Sequence, residues 1–245
     1  MRGPSRLVAA IVTLVGAGCS ATPDDPDPWE GFNRPVHGFN EVMDEYALEP
    51  LGEGWNAIVP PAGQAATSRA VDNLAFPVRF VNALLQAKGG AAATEVGRFV
   101  VNTTAGVLGF WDRAADWGLP APEAEDFGQT LGAWGLGPGP YLVLPFFGPF
   151  DVRDAVGAGV DWVTPGMALH NAVPVVAVGT VNWRAMNDAR LDDLRETSFD
   201  FYAAVRDAYL QKREALVTDG ASTTSEETQD DLYFLDDEDE EETTP

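Results

Sequence analysis

The chain is short of the residues that most enzymes and metal proteins depend on. It has one cysteine, two histidines and 15 basic residues against 38 acidic ones in 245. A single cysteine excludes an intrachain disulfide and any CxxC metal or redox site. His37 and His170 are far apart and belong to no HExxH motif. There is no P-loop and no G-x-S-x-G elbow. A hydrolase would need a nucleophile with a base and an oxyanion site, and no such set is visible. No catalytic residue, metal site or cofactor is expected. Basic residues are too few for a phosphate-binding face, so nucleic acid is excluded as a partner. Long hydrophobic runs are missing too. The longest in the body are Tyr141 to Phe150, broken by Pro145, Gly148 and Pro149, and Ala172 to Val181, broken by Pro174 and Gly179. A spanning helix needs about 20 apolar residues, so these read as buried, re-entrant or interfacial segments.

The lone cysteine is placed informatively. Arg2 and Arg6 precede an apolar stretch, Leu7 to Val15, and small residues lead into Cys19. A charged start, a short apolar middle and a small-residue zone make a secretory signal. A cysteine directly after it reads as a lipobox, with residues 1–18 removed and Cys19 acylated as a lipid anchor. The lipobox position three residues before the cysteine holds Gly16 rather than Leu, Val or Ile, so an ordinary cleaved signal with an incidental cysteine is the alternative. Ser20, rather than Asp, leans towards outer-membrane sorting.

Losing residues 1–18 removes two arginines and takes the formal charge from −23 to about −25. Twelve of the acids fall in residues 219–245, which hold no Lys or Arg. The organisation read from this is a signal at 1–18, an anchor and Pro/Asp linker at 19–28, a body at 29–217 and an acidic tail at 218–245, expected to be disordered. Within the tail, Asp231-Leu232-Tyr233-Phe234-Leu235 is an apolar island, either a docking segment or a solvated accident.

The body predicts helices punctuated by Pro and Gly. Trp29 to Leu48 places Phe32, Val36, Phe39, Met43 and Tyr46 on one face, with Pro35 as a kink or as the true start. Leu51 to Val59, a helix from Phe76, Ala91 to Val107, Asp151 to Val163 and Pro174 to Leu194 follow. On the second of these Phe80, Leu84 and Leu85 share a side. On the third Val96, Phe99, Val100 and Val107 are expected to face inward. Ser198 to Val217 closes the body, with Ser198 as N-cap. Only Tyr141 to Leu144 has strand character, as half of a hairpin. The fold class is all-α, with one exceptional segment.

That segment, Phe127 to Phe150, holds six glycines and four prolines among large apolar residues. Gly128, Gly132, Gly135, Gly137, Gly139 and Gly148 permit unusual backbone angles, while Pro140 and Pro145 remove donors and stiffen. Irregular backbone at membrane depth is tolerated where protein covers it or where it lines a wet cavity. The segment reads either as the wall of a passage or as a packed loop between helices.

Asp27-Pro28-Trp29-Glu30-Gly31-Phe32-Asn33-Arg34 with Phe39-Asn40 resembles the opening signature of the MlaA/VacJ lipoproteins. The likeness continues through Phe80-Val81-Asn82, Leu85-Gln86 and Arg98 to Gly106. It runs on through Glu125 to Gly132, Gly139-Pro140-Tyr141, Leu144-Pro145, Gly148-Pro149, Arg153-Asp154 and Ala208-Tyr209, covering about Asp27 to Arg213. The resemblance implies a Gram-negative outer-membrane lipoprotein in the inner leaflet, facing the periplasm. It implies a ring of helices, embedded in the membrane, around an amphipathic passage. Misplaced phospholipids would leave the outer leaflet through it and pass to a periplasmic carrier of the MlaC type, with a trimeric porin as neighbour. An envelope lipoprotein that braces porins without moving lipid is the alternative. Moving a headgroup through hydrocarbon unaided costs several kcal/mol or more, which polar lining would lower. The candidate lining is Asn33, Arg34, Asn40, Asn82, Asn102, Thr103, Thr104, Gln129 and Arg153. Guanidinium groups suit a phosphate. For the Asn and Thr residues helix capping is the competing role, and for Arg153 a structural ion pair with its aspartate neighbours.

Overall fold

The structure, a computed structural model, describes residues 27–121 and 124–220. The signal segment, Cys19, the linker to residue 26 and the tail from residue 221, with its apolar island, lie outside the described residues.

The described chain is helical apart from one hairpin. Helix α1 spans Glu30–Met43, and a π-helical turn, Asp44–Leu48, joins it to α2, Glu49–Ile58. Pro50 explains the widened turn: it has no N–H to give to Tyr46, and its ring would strike that carbonyl in a regular helix. Pro35 sits inside α1 rather than at its start. Helices α3 (Pro61–Leu74), α4 (Phe76–Leu85), α5 (Gly89–Thr104) and the short α6 (Arg113–Asp116) follow. Helix α7, Phe127–Ala133, precedes an antiparallel hairpin of β1 (Tyr141–Leu144) and β2 (Gly148–Asp151), in which Tyr141 pairs with Asp151 and Leu144 with Gly148. The last four helices are α8 (Val152–Trp162), α9 (Val173–Met186), α10 (Asp188–Thr197) and α11 (Phe201–Val217).

Several elements differ from expectation. Helix α3 is unannounced because PAGQAATSRAVDNL carries no apolar stripe. Helix α7 forms inside the Gly/Pro segment because Asp126 caps it, accepting from Gln129 N at 2.8 Å. The expected helix Pro174 to Leu194 breaks at Asn187 into α9 and α10. The last helix begins at Phe201, not Ser198: Asp200 is the N-cap, its carboxylate accepting from Ala203 N at 3.2 Å.

The one hydrophobic cluster among the described residues is Tyr141, Val143 and Tyr202, backed by Val36, Tyr209 and Leu210. It lies where the hairpin meets α1 and α11. Small residues bring α7, α8 and α11 close together. A Cβ on Gly157 of α8 would run into the backbone of Gly128 on α7, so the two helices cross at van der Waals contact of glycine on glycine. Gly132 similarly gives room to Val217 of α11 and to Arg153.

Candidate functional site

The inside and outside of this fold are exchanged relative to an ordinary globular domain. Helix α5 shows it most clearly. Its buried residues are Ala92, Glu95, Arg98 and Asn102, spaced three, three and four apart. Val96 and Val100, expected to point inward, are 40 % and 53 % exposed, and Val107 beyond the helix end is exposed too. That expectation is corrected for the three valines, while Phe99 is half-buried and stacks on Phe76 at 4.4 Å: period 3.6 identifies a face, but not the medium the face meets. Helix α1 repeats the pattern, with Asn33 buried while Phe32, Phe39 and Tyr46 are exposed. In α4, Asn82 is buried while Leu84 and Leu85 are exposed. Ile58, Val173 and Val163 are exposed by three quarters or more, and every tryptophan except Trp55 is exposed. Large apolar side chains are thus exposed along most of the helices, while polar ones occupy the interior. Among the described residues no helix is long and apolar enough to cross a membrane.

Most buried polar groups are paired, as interior polar groups generally are; the Tyr141 hydroxyl neither accepts nor donates a hydrogen bond among the described residues. Asn33, fully buried, donates to Asp27 Oδ1 at 2.7 Å and to the Tyr141 carbonyl at 3.0 Å, and accepts from Val143 N at 2.9 Å. Two turns later Asn40 donates to the Leu144 carbonyl at 3.0 Å and accepts from Phe146 N at 2.8 Å. The two asparagines thus satisfy the edge of β1 that β2 does not reach, and α1 stands in for a third strand. Tyr202 donates its hydroxyl to Asp27, closing the same corner.

A second network joins α7, α8 and α11. Arg213 grips Asp126 through both terminal nitrogens, at 2.6 and 3.0 Å, and pairs with Asp154. Tyr209 donates to Asp154 at 2.8 Å and accepts from Asp151 N at 3.0 Å. Arg153 bonds Asp154 at 2.9 Å and Asp151 at 3.2 Å. Burial disfavours charge on Asp126 and Asp154, but the facing guanidinium groups outweigh it and hold both below the ordinary carboxylate value. For Asp151 burial wins, and its pKa is pushed up to about 7.

A third network lies behind the π turn. Arg184, 1 % exposed, bonds Asp44 at 3.0 Å, pairs with Glu49 at 3.2 Å and reaches Asp188. Arg195 adds a bond to Asp44 at 2.7 Å. Nearby Asn182 accepts from Trp55 Nε1 at 2.8 Å and donates to Gln64 O and Ser68 Oγ at 3.1 and 2.9 Å, tying α9 to α2 and α3.

The remaining candidate residues are placed as follows. Arg34 is exposed, bidentate on Asp200 at 3.1 and 2.6 Å and stacked over Tyr202 at 4.5 Å. With His37, Glu41 and Phe199 it lines a shallow groove. Asn82 donates to Asp161 at 3.0 Å and accepts from Thr130 at 2.8 Å. Asn102 donates to Asp112 at 2.9 Å and accepts from Ala114 N at 2.8 Å. Thr103 accepts from Asn73 at 2.9 Å, and Thr104, exposed, bonds its own helix at Val100 O, 2.6 Å. Gln129 is buried and bonds Asp126 at 3.1 Å. Of the segment residues, Gly135, Gly139 and Gly148 have positive φ, Pro140 is buried, Pro145 is exposed, and Gly137 has open space around it. The candidates therefore fall into several separate networks, not one cluster.

Sequence reasoning passed over Asp44, Arg184, Asn182, Asp112, Asp126 and Arg213. A signal for one was present: Asp126 precedes Gln129 by the three residues of a capping arrangement.

A family model described as MlaA lipoprotein matches residues 25–216. The lipoprotein MlaA of the intermembrane phospholipid transport system of Escherichia coli is 35 % identical over 224 residues, 88 % of this chain and 89 % of that one. Its Haemophilus influenzae counterpart is 33 % identical over 237 residues, 90 % and 93 % of the two chains. An uncharacterized Rickettsia felis protein is 38 % identical over 200 residues, 78 % of each. A solved structure concerned with the maintenance of bacterial outer membrane lipid asymmetry superposes with a TM-score of 0.69 at 33 % identity, over 78 % of this chain and 98 % of that one.

Proposed function

The chain belongs to the MlaA lipoprotein family, and from that premise we propose that it removes misplaced phospholipids from the outer leaflet of the outer membrane and so maintains lipid asymmetry. It is anchored through acylated Cys19 in the inner leaflet. Its helices lie in that leaflet as a ring around an amphipathic passage, and lipid leaves to a periplasmic carrier of the MlaC type. A trimeric porin is its neighbour.

The observation that carries this reading is the exchanged distribution of polarity. An apolar exterior finds its solvent in acyl chains, and an interior of paired Asn, Asp, Glu and Arg keeps polar groups out of hydrocarbon and holds the helices together there. Lipobox and family agree on the anchor. Lipid moves without covalent chemistry, so purified protein should leave phospholipid intact.

Deletion of the gene tests the proposal. Phospholipid should accumulate in the outer leaflet and detergent sensitivity should rise. Unchanged leaflet composition would leave only the porin-bracing role. Cys19→Ala should release the protein from the outer-membrane fraction if acylation is the main tether.

A further inference from the structure

Arg69 of α3 is a cation that the paired networks leave over. Acids outnumber bases more than two to one in this chain. Every lysine and arginine among the described residues forms an ion pair except Arg69, Arg190 and Lys212. Arg190 and Lys212 are exposed, whereas Arg69 is half-buried. Its Nε donates to the Phe110 carbonyl at 3.1 Å, and its two terminal nitrogens have no partner among the described residues. The carbonyl holds the guanidinium in place without neutralising it.

The turn that supplies this carbonyl, between α5 and α6, is apolar and fixed. Val107, Leu108 and Gly109 follow one another at positive φ, 50°, 61° and 95°. Valine and leucine adopt such a run only under constraint. Three backbone bonds impose it: Leu108 N to Thr103 O at 3.0 Å, Gly109 N to Asn102 O at 2.9 Å and Trp111 N to Gly106 O at 3.0 Å. Asn73, one helical turn along α3 from Arg69, closes against Gly109, where an added Cβ would lie 2.5 Å from the asparagine's own. The strained turn buries little of what it carries. Leu108, Phe110 and Trp111 are 62 %, 40 % and 52 % exposed. Strain kept in order to display apolar side chains points to something that covers them.

One short turn therefore sets a two-pronged guanidinium donor beside exposed hydrocarbon. Its occupant carries an anion with several acceptor oxygens joined to apolar chains. Guanidinium takes a phosphate through two parallel N–H···O bonds. A free phosphate would satisfy the arginine and leave the apolar tip bare.

We propose that Arg69 and the 107–111 turn form a site for a phospholipid of the surrounding leaflet, on the outside of the protein. The phosphate lies on Arg69 Nη1 and Nη2, and the acyl chains lie along Leu108, Phe110 and Trp111. This rests on the reading above that the apolar exterior meets lipid, and it adds a fixed point of contact at headgroup level.

The test uses full-length protein in detergent, with Trp111 as its only tryptophan and the others changed to phenylalanine. Phosphatidylglycerol with brominated acyl chains is titrated in, and quenching of Trp111 is recorded. Quenching should saturate, and Arg69→Gln should raise the half-saturating concentration about tenfold. Arg69→Lys, which keeps the charge but not the fork, should recover part of the loss. Brominated diacylglycerol, which lacks the phosphate, should be about tenfold weaker on the unaltered Arg69 protein, a comparison that needs no change at the site. Inorganic phosphate at the lipid's concentration should relieve no quenching. Equal titrations with the two lipids, or an unchanged one in Arg69→Gln, overturn the phosphate site and leave the lipid-facing exterior standing. Relief by inorganic phosphate overturns it in favour of a free-anion site. If neither lipid quenches Trp111, the site falls together with the premise that this face meets lipid.

Discussion

The hairpin corner and the arc of α2, α3 and α9 solve the same folding problem with opposite materials. At the corner, Tyr141, Val143 and Tyr202 make a small apolar core, and Asn33 and Asn40 seal the edge of β1 against it. In the arc the interior is Arg184, Asn182, Gln64 and Asp44, while Ile58, Val173 and Trp183 face out. The corner obtains its stability from burying hydrocarbon, as water-soluble domains do. The arc is held inside by hydrogen bonds and charge pairs, which add little net stability in water but become costly to break once formed. Its apolar exterior must find its favourable medium elsewhere.

The largest effect is expected in the arc. Arg184→Met removes the guanidinium facing Asp188, Asp44 and Glu49 and leaves the last two with Arg195 alone. Removing one member of a buried charge network costs about 3–5 kcal/mol; partial water access at Asp44 and Glu49 puts this one near the lower figure. Thermal melting in detergent should show it, with far-UV helicity lost first from this half. An equal loss from the equivalent truncation at the corner would erase the contrast.

Next comes Asn33→Ala. It leaves Val143 N and Tyr141 O without this partner, and each buried unsatisfied group costs about 1–3 kcal/mol. A net loss of about 2 kcal/mol is expected, measured by the same melt. Exchange of the Val143 amide should accelerate while arc amides stay protected.

A smaller effect is the pH dependence of the α7–α8–α11 network beside the corner. Asp126 and Asp154 sit below the ordinary value of 3.8 in the fold, so the stability they add is present above it and is lost as pH falls further. Asp151 has the opposite sign. Its folded pKa of about 7 means that its charge destabilises the fold as pH rises from about 4 to 7. Melting temperature should therefore pass through a maximum in mild acid. Asp151→Asn, which keeps the N-cap, should flatten the neutral side and leave the acid side unchanged. The smallest effect on folding is Ile58→Asp, at a position 82 % exposed: within about 0.5 kcal/mol in detergent, yet with weaker partitioning into vesicles.

The legibility of the chain follows the same division. Helices with an apolar stripe, α1, α2, α4, α5 and α8, were readable because periodicity is local. So was the strand at Tyr141–Leu144, flanked by turn residues. Helix α3 was not, because alanine, glutamine and threonine form a helix without marking a face. The break at Asn187 has no proline or glycine to announce it. Above all, the stripe on α5 was readable but its direction was not. Valine in lipid and valine in a protein core leave the same periodic trace, so only the partners of Glu95, Arg98 and Asn102 decide the matter. The polar candidates were visible as residues, but their grouping depends on contacts more than 100 positions apart, such as Asn33 with Tyr141.

The exterior of the arc offers the most direct test. Trp183 projects from α9 and is 57 % exposed, while Trp55, half-buried one layer in, donates to Asn182 at 2.8 Å. Single-tryptophan variants, with the other tryptophans changed to phenylalanine, can be placed in vesicles whose acyl chains carry bromine. Emission from Trp183 should be strongly quenched and that from Trp55 weakly. Trp183 emission that bromine leaves untouched, in protein bound to the vesicles, would contradict an apolar exterior immersed in lipid.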